Sequence, residues 1–228
     1  KVVVVDTGHH PVDDRVVAVL PDARIIAAHG TTTFAAAANL ILTVDRTNSA
    51  AGFHLFLRDD LALAGTGVRR MVEAALEANA GIVGPKVLDG GGSTRLDDMG
   101  ASVDRLGSPV PRVEPGEADQ GQYDGRFDVF ASSEAAVMVR VDLFAALGGF
   151  DEGIRSPDVH VDLCWRARLA GASTLLVPTS VGRRLGGRAA PFRRIHADIL
   201  APRHRLRMTL ANRFGPFVLP RLAESVVA

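Results

Sequence analysis

The chain has 228 residues, 26 basic against 26 acidic, with 47% apolar residues and few aromatics. That composition suits one domain, or one with an appendage, burying a sizeable core. A single cysteine, Cys164, excludes a disulfide framework and a multi-cysteine zinc site. It fits a reducing cytoplasm, and no stretch approaches the ~18 consecutive apolar residues of a membrane span.

Lys1 to Val5 is a β-branched run closing in Asp6-Thr7-Gly8, which predicts a buried strand and a turn. Lys1, not Met, enters that strand at once, which predicts a processed, trimmed or incomplete chain. Asp13 to Leu20 has helical spacing and stops at Pro21. Ala23 to Ala28 reads as a second strand. After a Gly30-Thr31-Thr32-Thr33 loop, a helix is expected from Phe34 to Val44 with Thr33 as N-cap. Phe53 to Leu57 is a third strand, Val68 to Asn79 a helix opened by Gly65-Thr66-Gly67, and Gly81 to Val87 a fourth strand. This alternation predicts a mostly parallel, Rossmann-like sheet with right-handed crossovers.

Between Leu88 and Phe130 the period breaks. Gly90-Gly91-Gly92 and then polar residues with Pro109, Pro111 and Pro115 read as short antiparallel strands and a long loop shaping one side of a cleft. Ala136 to Val141 is a strand, Asp142 to Leu147 a short helix, and Gly148-Gly149 a turn. Val161 to Ala170 reads as an amphipathic helix, and Ser173 to Val177 as a last core strand ending at Pro178. From residue 183 onward ten arginines face Asp198 and Glu224, a balance of +8 that leaves −8 on the preceding residues. Two basic helices are expected there, about Phe192 to Arg213 and Phe217 to Val227. A basic tail predicts an anionic neighbour: a membrane surface, a pyrophosphate, or the acidic body itself. Nucleic acid is disfavoured, because the tail lacks a run of aromatics interleaved with its arginines.

The most informative stretch is Leu55-Phe56-Leu57-Arg58-Asp59-Asp60. An apolar strand ends in two carboxylates, and ligands of open α/β sheets sit beyond the carboxyl ends of their strands. Hard carboxylate oxygens suit Mg2+ or Mn2+ bridging to a diphosphate. The alternative is a strand-to-loop turn with solvated acids.

Several segments, in order, resemble the family-2 glycosyltransferases of GT-A fold, particularly actinobacterial members. They are Val2 to Gly8, Phe34-Ala35-Ala36-Ala37-Ala38-Asn39, Leu55 to Asp60, and Gly81-Ile82-Val83-Gly84-Pro85-Lys86-Val87-Leu88-Asp89. Leu147 to Glu152 and Val161-Asp162-Leu163-Cys164-Trp165-Arg166-Ala167-Arg168-Leu169-Ala170-Gly171 complete the set. The resemblance implies an α/β, GT-A fold over residues 1–185, lacking the family's first strand and helix, with a basic helical tail over 186–228. It implies transfer of a sugar, with inversion, from a UDP-, GDP- or dTDP-sugar to a saccharide or lipid-linked acceptor in envelope polysaccharide synthesis. Asp60 and Asp59 would hold the Mg2+ or Mn2+, and Asp6, Asn39, Asp59 and Arg183 would lie on the nucleotide-sugar. The setting would be cytoplasmic, with the tail near the inner face of the plasma membrane.

Three departures stand out. The first is the missing N-terminal unit. His160 occupies the usual place of the carboxylate base, with Asp158 and Asp162 as alternatives able to reach the site if the loop shifts; histidine is a competent base near neutral pH. Val181-Gly182-Arg183-Arg184 stands where a histidine is common, so a metal ligand is missing, and an arginine there could pair with a diphosphate oxygen. Arg58 fills the first position of the metal motif, and Glu134 stands in a small-residue segment where it would narrow the acceptor pocket. Trp165 and Arg166 are candidates for the acceptor side, with core packing the alternative for Trp165. The rival reading is a nucleotide-sugar-binding module without turnover. A nicotinamide enzyme is disfavoured by the absence of Gly-x-Gly-x-x-Gly after any strand.

Overall fold

The computed structural model describes residues 1–8, 14–28, 32–44, 52–90, 92, 94–105, 107–125, 127–154, 158–185 and 202–212. His9-His10, the first half of the first expected tail helix and all of the second lie outside these residues. The chain opens with β1 (Val3–Asp6), α1 (Asp14–Val19), β2 (Arg24–Ala27) and α2 (Phe34–Val44). The Ala36 amide donates to Thr33 Oγ1 at 3.2 Å, so Thr33 caps α2 as its residue type predicts. Next come β3 (Phe53–Leu57), β4 (Leu61–Leu63), α3 (Gly67–Ala78) and β5 (Ile82–Leu88). Four short strands occupy the polar region: β6 (Leu96–Asp98), β7 (Ala101–Val103), β8 (Pro109–Pro111) and β9 (Phe127–Asp128). The core resumes with β10 (Ala136–Arg140), α4 (Val141–Ala146), α5 (Val159–Leu169) and β11 (Thr174–Arg184). A last helix, α6, spans 202–212.

The expectation of one mostly parallel sheet is corrected. β1 and β2 pair in parallel as a separate two-stranded sheet, and the main sheet is mixed, in the order β3-β10-β5-β11-β4 with β6 on β5 and β9 on β11. β5 and β11 are parallel, and β3 runs the same way because both β3 and β5 are antiparallel to β10. The antiparallel strands β4 and β10 turn the pattern, and their alternation is too short to separate parallel from antiparallel pairing in sequence.

Side-chain alternation builds a core on each face of this sheet. From β10 and β5, Val137, Val139 and Ile82 point into a cluster with Phe144, Phe150, Leu163 and Trp165. Met138 and Val83 point the other way, onto Met71, Ala74 and Ala75 of α3. Phe56 of β3 lies 4.9 Å from the Phe144 ring and 5.1 Å from that of Phe150, so α4 and the Gly148-Gly149 turn are stapled to the sheet by aromatic contacts.

α5 is buried nearly all round, including Asp162, Cys164 and Trp165, instead of amphipathic as expected. The reason is α6: Met208 joins the core beside α5, Arg205 Nε donates to Asp158 Oδ2 at 3.1 Å, and Arg207 Nε to Asp151 Oδ2 at 3.0 Å. Here the anionic neighbour of the basic tail is the body itself. The long polar segment is anchored differently. Lys86, 4% exposed on central β5, donates to Asp119 at 2.9 Å and Asp124 at 2.7 Å. Burial alone would lower this ammonium, but Asp124 and Asp119 outweigh it and hold it above its ordinary value.

Asn39 fixes the Gly148-Gly149 turn. Its amide nitrogen donates to the Phe150 carbonyl at 2.9 Å and its oxygen accepts from the Phe150 amide at 2.8 Å. Gly149 adopts φ 79°, and a Cβ there would press into the Asn39 side chain. Gly149→Ala is therefore expected to cost about 1–3 kcal/mol from backbone strain, plus lost Asn39 bonds. Equilibrium denaturation reads this; unchanged stability would show that the turn does not need its left-handed backbone.

Candidate functional site

The final strand does not stop at Pro178. β11 continues to Arg184, with a register shift between Val177 and Val181 that accommodates the proline, and its end pairs with β5 on one side and β4 on the other. β3 turns at Arg58-Asp59-Asp60 into β4, and the Leu185 amide donates to the Asp60 carbonyl at 2.7 Å. The carboxyl ends of β3, β5 and β11 thereby meet where a sheet of this class presents its ligands.

Both oxygens of Asp60 are engaged. Arg58 Nε donates to Oδ1 at 3.1 Å, and Arg184 Nη1 donates to Oδ2 at 3.3 Å. Arg184 Nε donates to Asp97 Oδ2 at 2.7 Å, and Arg58 Nη1 lies 3.7 Å from Glu134 Oε1. The Arg58 and Arg184 side chains are only 15% and 14% exposed, so water screens this network less than a surface pair. Burial opposes the charge on Asp60, but Arg58 and Arg184 outweigh it and hold the carboxyl below the ordinary aspartate range. Burial likewise opposes the Arg184 charge, which Asp97, Asp60 and Glu134 more than restore.

A second group adjoins the first. Asp98 Oδ1 accepts from the Gly100 amide at 2.7 Å. Burial holds the Asp98 carboxyl above its ordinary value, and the Gly100 amide, His160 and the Ser133 hydroxyl offset this only in part. Asp97 and Asp98 are consecutive, as are Ser133 and Glu134, and consecutive Cα atoms lie about 3.8 Å apart. The Asp98–Ser133–His160 group is thus next along the chain to the Asp60 network, although successive strand side chains point to opposite faces.

The other expected site residues are placed as follows. Asp59 is exposed beside Asp60. Arg183 is exposed, and it is Arg184, next along the strand, that reaches Asp60. Asp6 Oδ1 caps its own turn, accepting from the Gly8 amide at 2.9 Å. Asn39 spends its polar atoms on the Phe150 turn. Asp158 is bonded to Arg205, and Asp162 to Arg166 at 2.7 Å and Asn212 at 3.2 Å. Trp165 is 9% exposed and packs edge-on against Phe130 at 5.4 Å. Arg166 also donates to the Leu147 carbonyl at 2.9 Å. Sequence reasoning missed Asp97, Asp98 and Ser133. Their signal is positional only: they sit beside strand ends that the topology, not the local pattern, brings together.

The expected divalent ion can be tested against these residues. Among the described residues no group of three or more His, Cys, Asp or Glu side chains is placed to hold a metal. More tellingly, each Asp60 oxygen already accepts from a guanidinium, so a cation ligated there would sit beside two positive charges. The donor set does not fit a Mg2+ or Mn2+ ion as it stands.

No family model matches the chain, and no curated protein matches it. Among solved structures, the crystal structure of GalNAc-T7 with UDP, GalNAc and Mn2+ matches with a TM-score of 0.61 at 12% identity. The match covers 81% of this chain, which spans 37% of that one. The likeness and the mixed α/β layering define a GT-A glycosyltransferase fold; the narrower family resemblance rests on the sequence motifs.

The depressed Asp60 carboxyl has a consequence for acid stability. A carboxyl lowered by folding contributes stability that is present above the unfolded aspartate value of about 3.9 and is lost as pH falls through the lower folded value. Asp60→Asn is therefore expected to lose stability at neutral pH and to flatten the decline below about pH 4. Denaturation midpoints across that range read it; an unchanged acid limb would dissolve the ion network.

Proposed function

We propose that the chain transfers a sugar from a nucleotide-diphospho-sugar to an acceptor hydroxyl. The observation that carries this reading is the convergence of the Asp60 network at the carboxyl ends of β3, β5 and β11, in a GT-A fold. The nucleoside would lie over the β1 and α2 side, with Asp6 shaping its turn and Asn39 acting through the Phe150 turn it holds. The diphosphate would lie at the ionic end, beside Asp59, Asp60 and Arg183. His160 would take the proton of the attacking hydroxyl as the new bond to the anomeric carbon forms and the bond to the diphosphate breaks, which inverts that centre. Asp98 would stabilise the resulting imidazolium. Asp158 and Asp162 would position the start of α5, and Trp165 and Arg166 would support the acceptor side from within.

The leaving diphosphate needs a cation. The Mn2+ of the GalNAc-T7 crystal supports a divalent ion in that role for this fold, but at Asp60 it would lie beside the Arg58 and Arg184 guanidiniums, and no step is routed through one. The acceptor is a saccharide or a lipid-linked saccharide of the cell envelope. One specific observation favours the rival reading, a binding module without turnover: the two carboxylates nearest the base position, Asp158 and Asp162, are committed to Arg205 and Arg166.

Two measurements test this. Thermal melting with UDP, GDP and dTDP should show stabilisation by one of them, about 2.7 kcal/mol at a hundredfold excess over its dissociation constant. Release of that nucleotide from its sugar should fall about 10²–10⁴-fold in His160→Gln, with nucleotide binding kept. Binding without turnover in the wild type would select the rival; no nucleotide response at all would overturn both.

No helix among the described residues is long and apolar enough to cross a membrane. We propose that the arginines of the tail that precede α6 touch an anionic inner-membrane surface. Because α6 is packed into the body, the test is replacement of Arg188, Arg193 and Arg194 by Gln, not deletion. Loss of binding to anionic vesicles is expected, and undiminished binding would remove the membrane from the proposal.

A further inference from the structure

We propose that Arg58 and Arg184 together bind the diphosphate of the nucleotide-sugar in place of a divalent cation, so that donor binding by this chain is metal-independent. The inference rests on the transferase reading above and goes beyond it by assigning the cation.

Two guanidiniums carry the same formal charge as one Mg2+ or Mn2+ ion, and they stand on the carboxylate that would otherwise hold that ion. Arg58 Nε lies 3.1 Å from Asp60 Oδ1 and Arg184 Nη1 lies 3.3 Å from Asp60 Oδ2. A divalent ion entering here would sit against both guanidiniums, cation beside cation. A diphosphate would not, because a guanidinium presents five N–H donors in a planar fork that matches phosphate oxygens two at a time.

The distances sort those donors. Each Nε is held more closely than the Nη atoms of its own side chain: Arg184 Nε to Asp97 at 2.7 Å, and Arg58 Nε to Asp60 at 3.1 Å. The terminal nitrogens make the long contacts: Arg184 Nη1 to Asp60 at 3.3 Å, Arg58 Nη2 to Asp60 at 3.5 Å, and Arg58 Nη1 to Glu134 at 3.7 Å. Asp97 and Asp60 thus orient the two side chains by their inner nitrogens, while the outer nitrogens are weakly committed and can be handed to phosphate oxygens. Hydrogen bonds beyond about 3.2 Å are past the favoured range, so little is lost in the exchange.

The network is not a general positive patch. Asp60, Asp97 and Glu134 outnumber the two arginines, and the exposed Asp59 and Arg183 offset each other. Recognition therefore comes from local, paired N–H donation and not from long-range attraction, and it is expected to depend weakly on salt.

The test is calorimetric titration of the intact chain with inorganic pyrophosphate and with UDP, GDP and dTDP, in EDTA and again with excess Mn2+. Expected is binding of pyrophosphate and of one nucleotide in EDTA that Mn2+ does not strengthen, and no Mn2+ retained by the protein alone in an electron paramagnetic resonance titration. Arg184→Gln and Arg58→Gln, each confirmed folded by its melting curve, should weaken pyrophosphate binding roughly ten- to a hundredfold. Binding that appears only with Mn2+ would overturn the arginine assignment and leave the transferase reading standing. No binding of any nucleotide or of pyrophosphate in either buffer would overturn both. The wild-type comparison needs no variant, so a misfolded substitution does not blunt it.

Discussion

The continuation of β11 past Pro178 is the constraint on which the site depends. A strand ending at the proline would leave Arg184 in a loop, and Asp60 would face solvent at the end of a hairpin. Instead the register slips between Val177 and Val181, the ladder resumes, and Gly182 to Arg184 pair with Leu63 to Leu61 while Val181 to Arg183 continue along β5. Gly182 allows this closeness: a Cβ there would lie 3.2 Å from Leu61 Cδ2, tighter than ordinary contact. A proline is tolerated in such a strand only where its missing N–H costs no ladder bond, which a bulge provides. The strand that closes the sheet is thus also the strand that delivers a cation to the carboxylate at the end of β3.

Two kinds of ion pair occur in the same sheet, and they differ in a way that bears on function. Lys86 has two carboxylate partners, both oxygens of Asp119 at 3.1 and 2.9 Å and one of Asp124 at 2.7 Å. All three contacts are short, and this buried ammonium pins the polar segment to β5. The arginines at the strand ends are held at their inner nitrogens and loosely at their outer ones. A network with unspent donors is costly to bury for stability alone, because desolvation is repaid only in part.

Local pattern carried much of the fold. Thr33 capping α2, the Phe53–Leu57 strand and the alternation of Val137, Met138 and Val139 across two cores all follow from residue type and period. What local pattern could not give was pairing. Three-residue β4 has no period to read, and the separation of β1 and β2 from the main sheet is a matter of partners, not propensity. The same limit governed the site. The Arg183-Arg184 doublet announced a cation, but which of the two turns inward depends on the parity of a strand expected to end at Pro178. Asp97 and Asp98 lie in a region without helical or strand period, and only their pairing with the end of β5 brings them near residues 58–60 and 133–134.

The start of α5 explains why a histidine can stand where a carboxylate is expected. Asp158 and Asp162 are four residues apart and so share one side of the helix. That side is turned to α6 and the Leu147 turn, where Arg205, Asn212 and Arg166 take both carboxylates. His160, two positions from each, falls on the opposite side by helical geometry of about 100° per residue, toward Asp98. Bringing Asp158 or Asp162 to the site would need close to half a turn of α5 about its axis. Such a turn would pull Leu163, Cys164 and Ala167 out of a core where each is fully buried. Large movements of that kind are resisted by close packing. With both carboxylates committed to holding the helix, His160 is the one of the three base candidates that helical geometry turns to the other side.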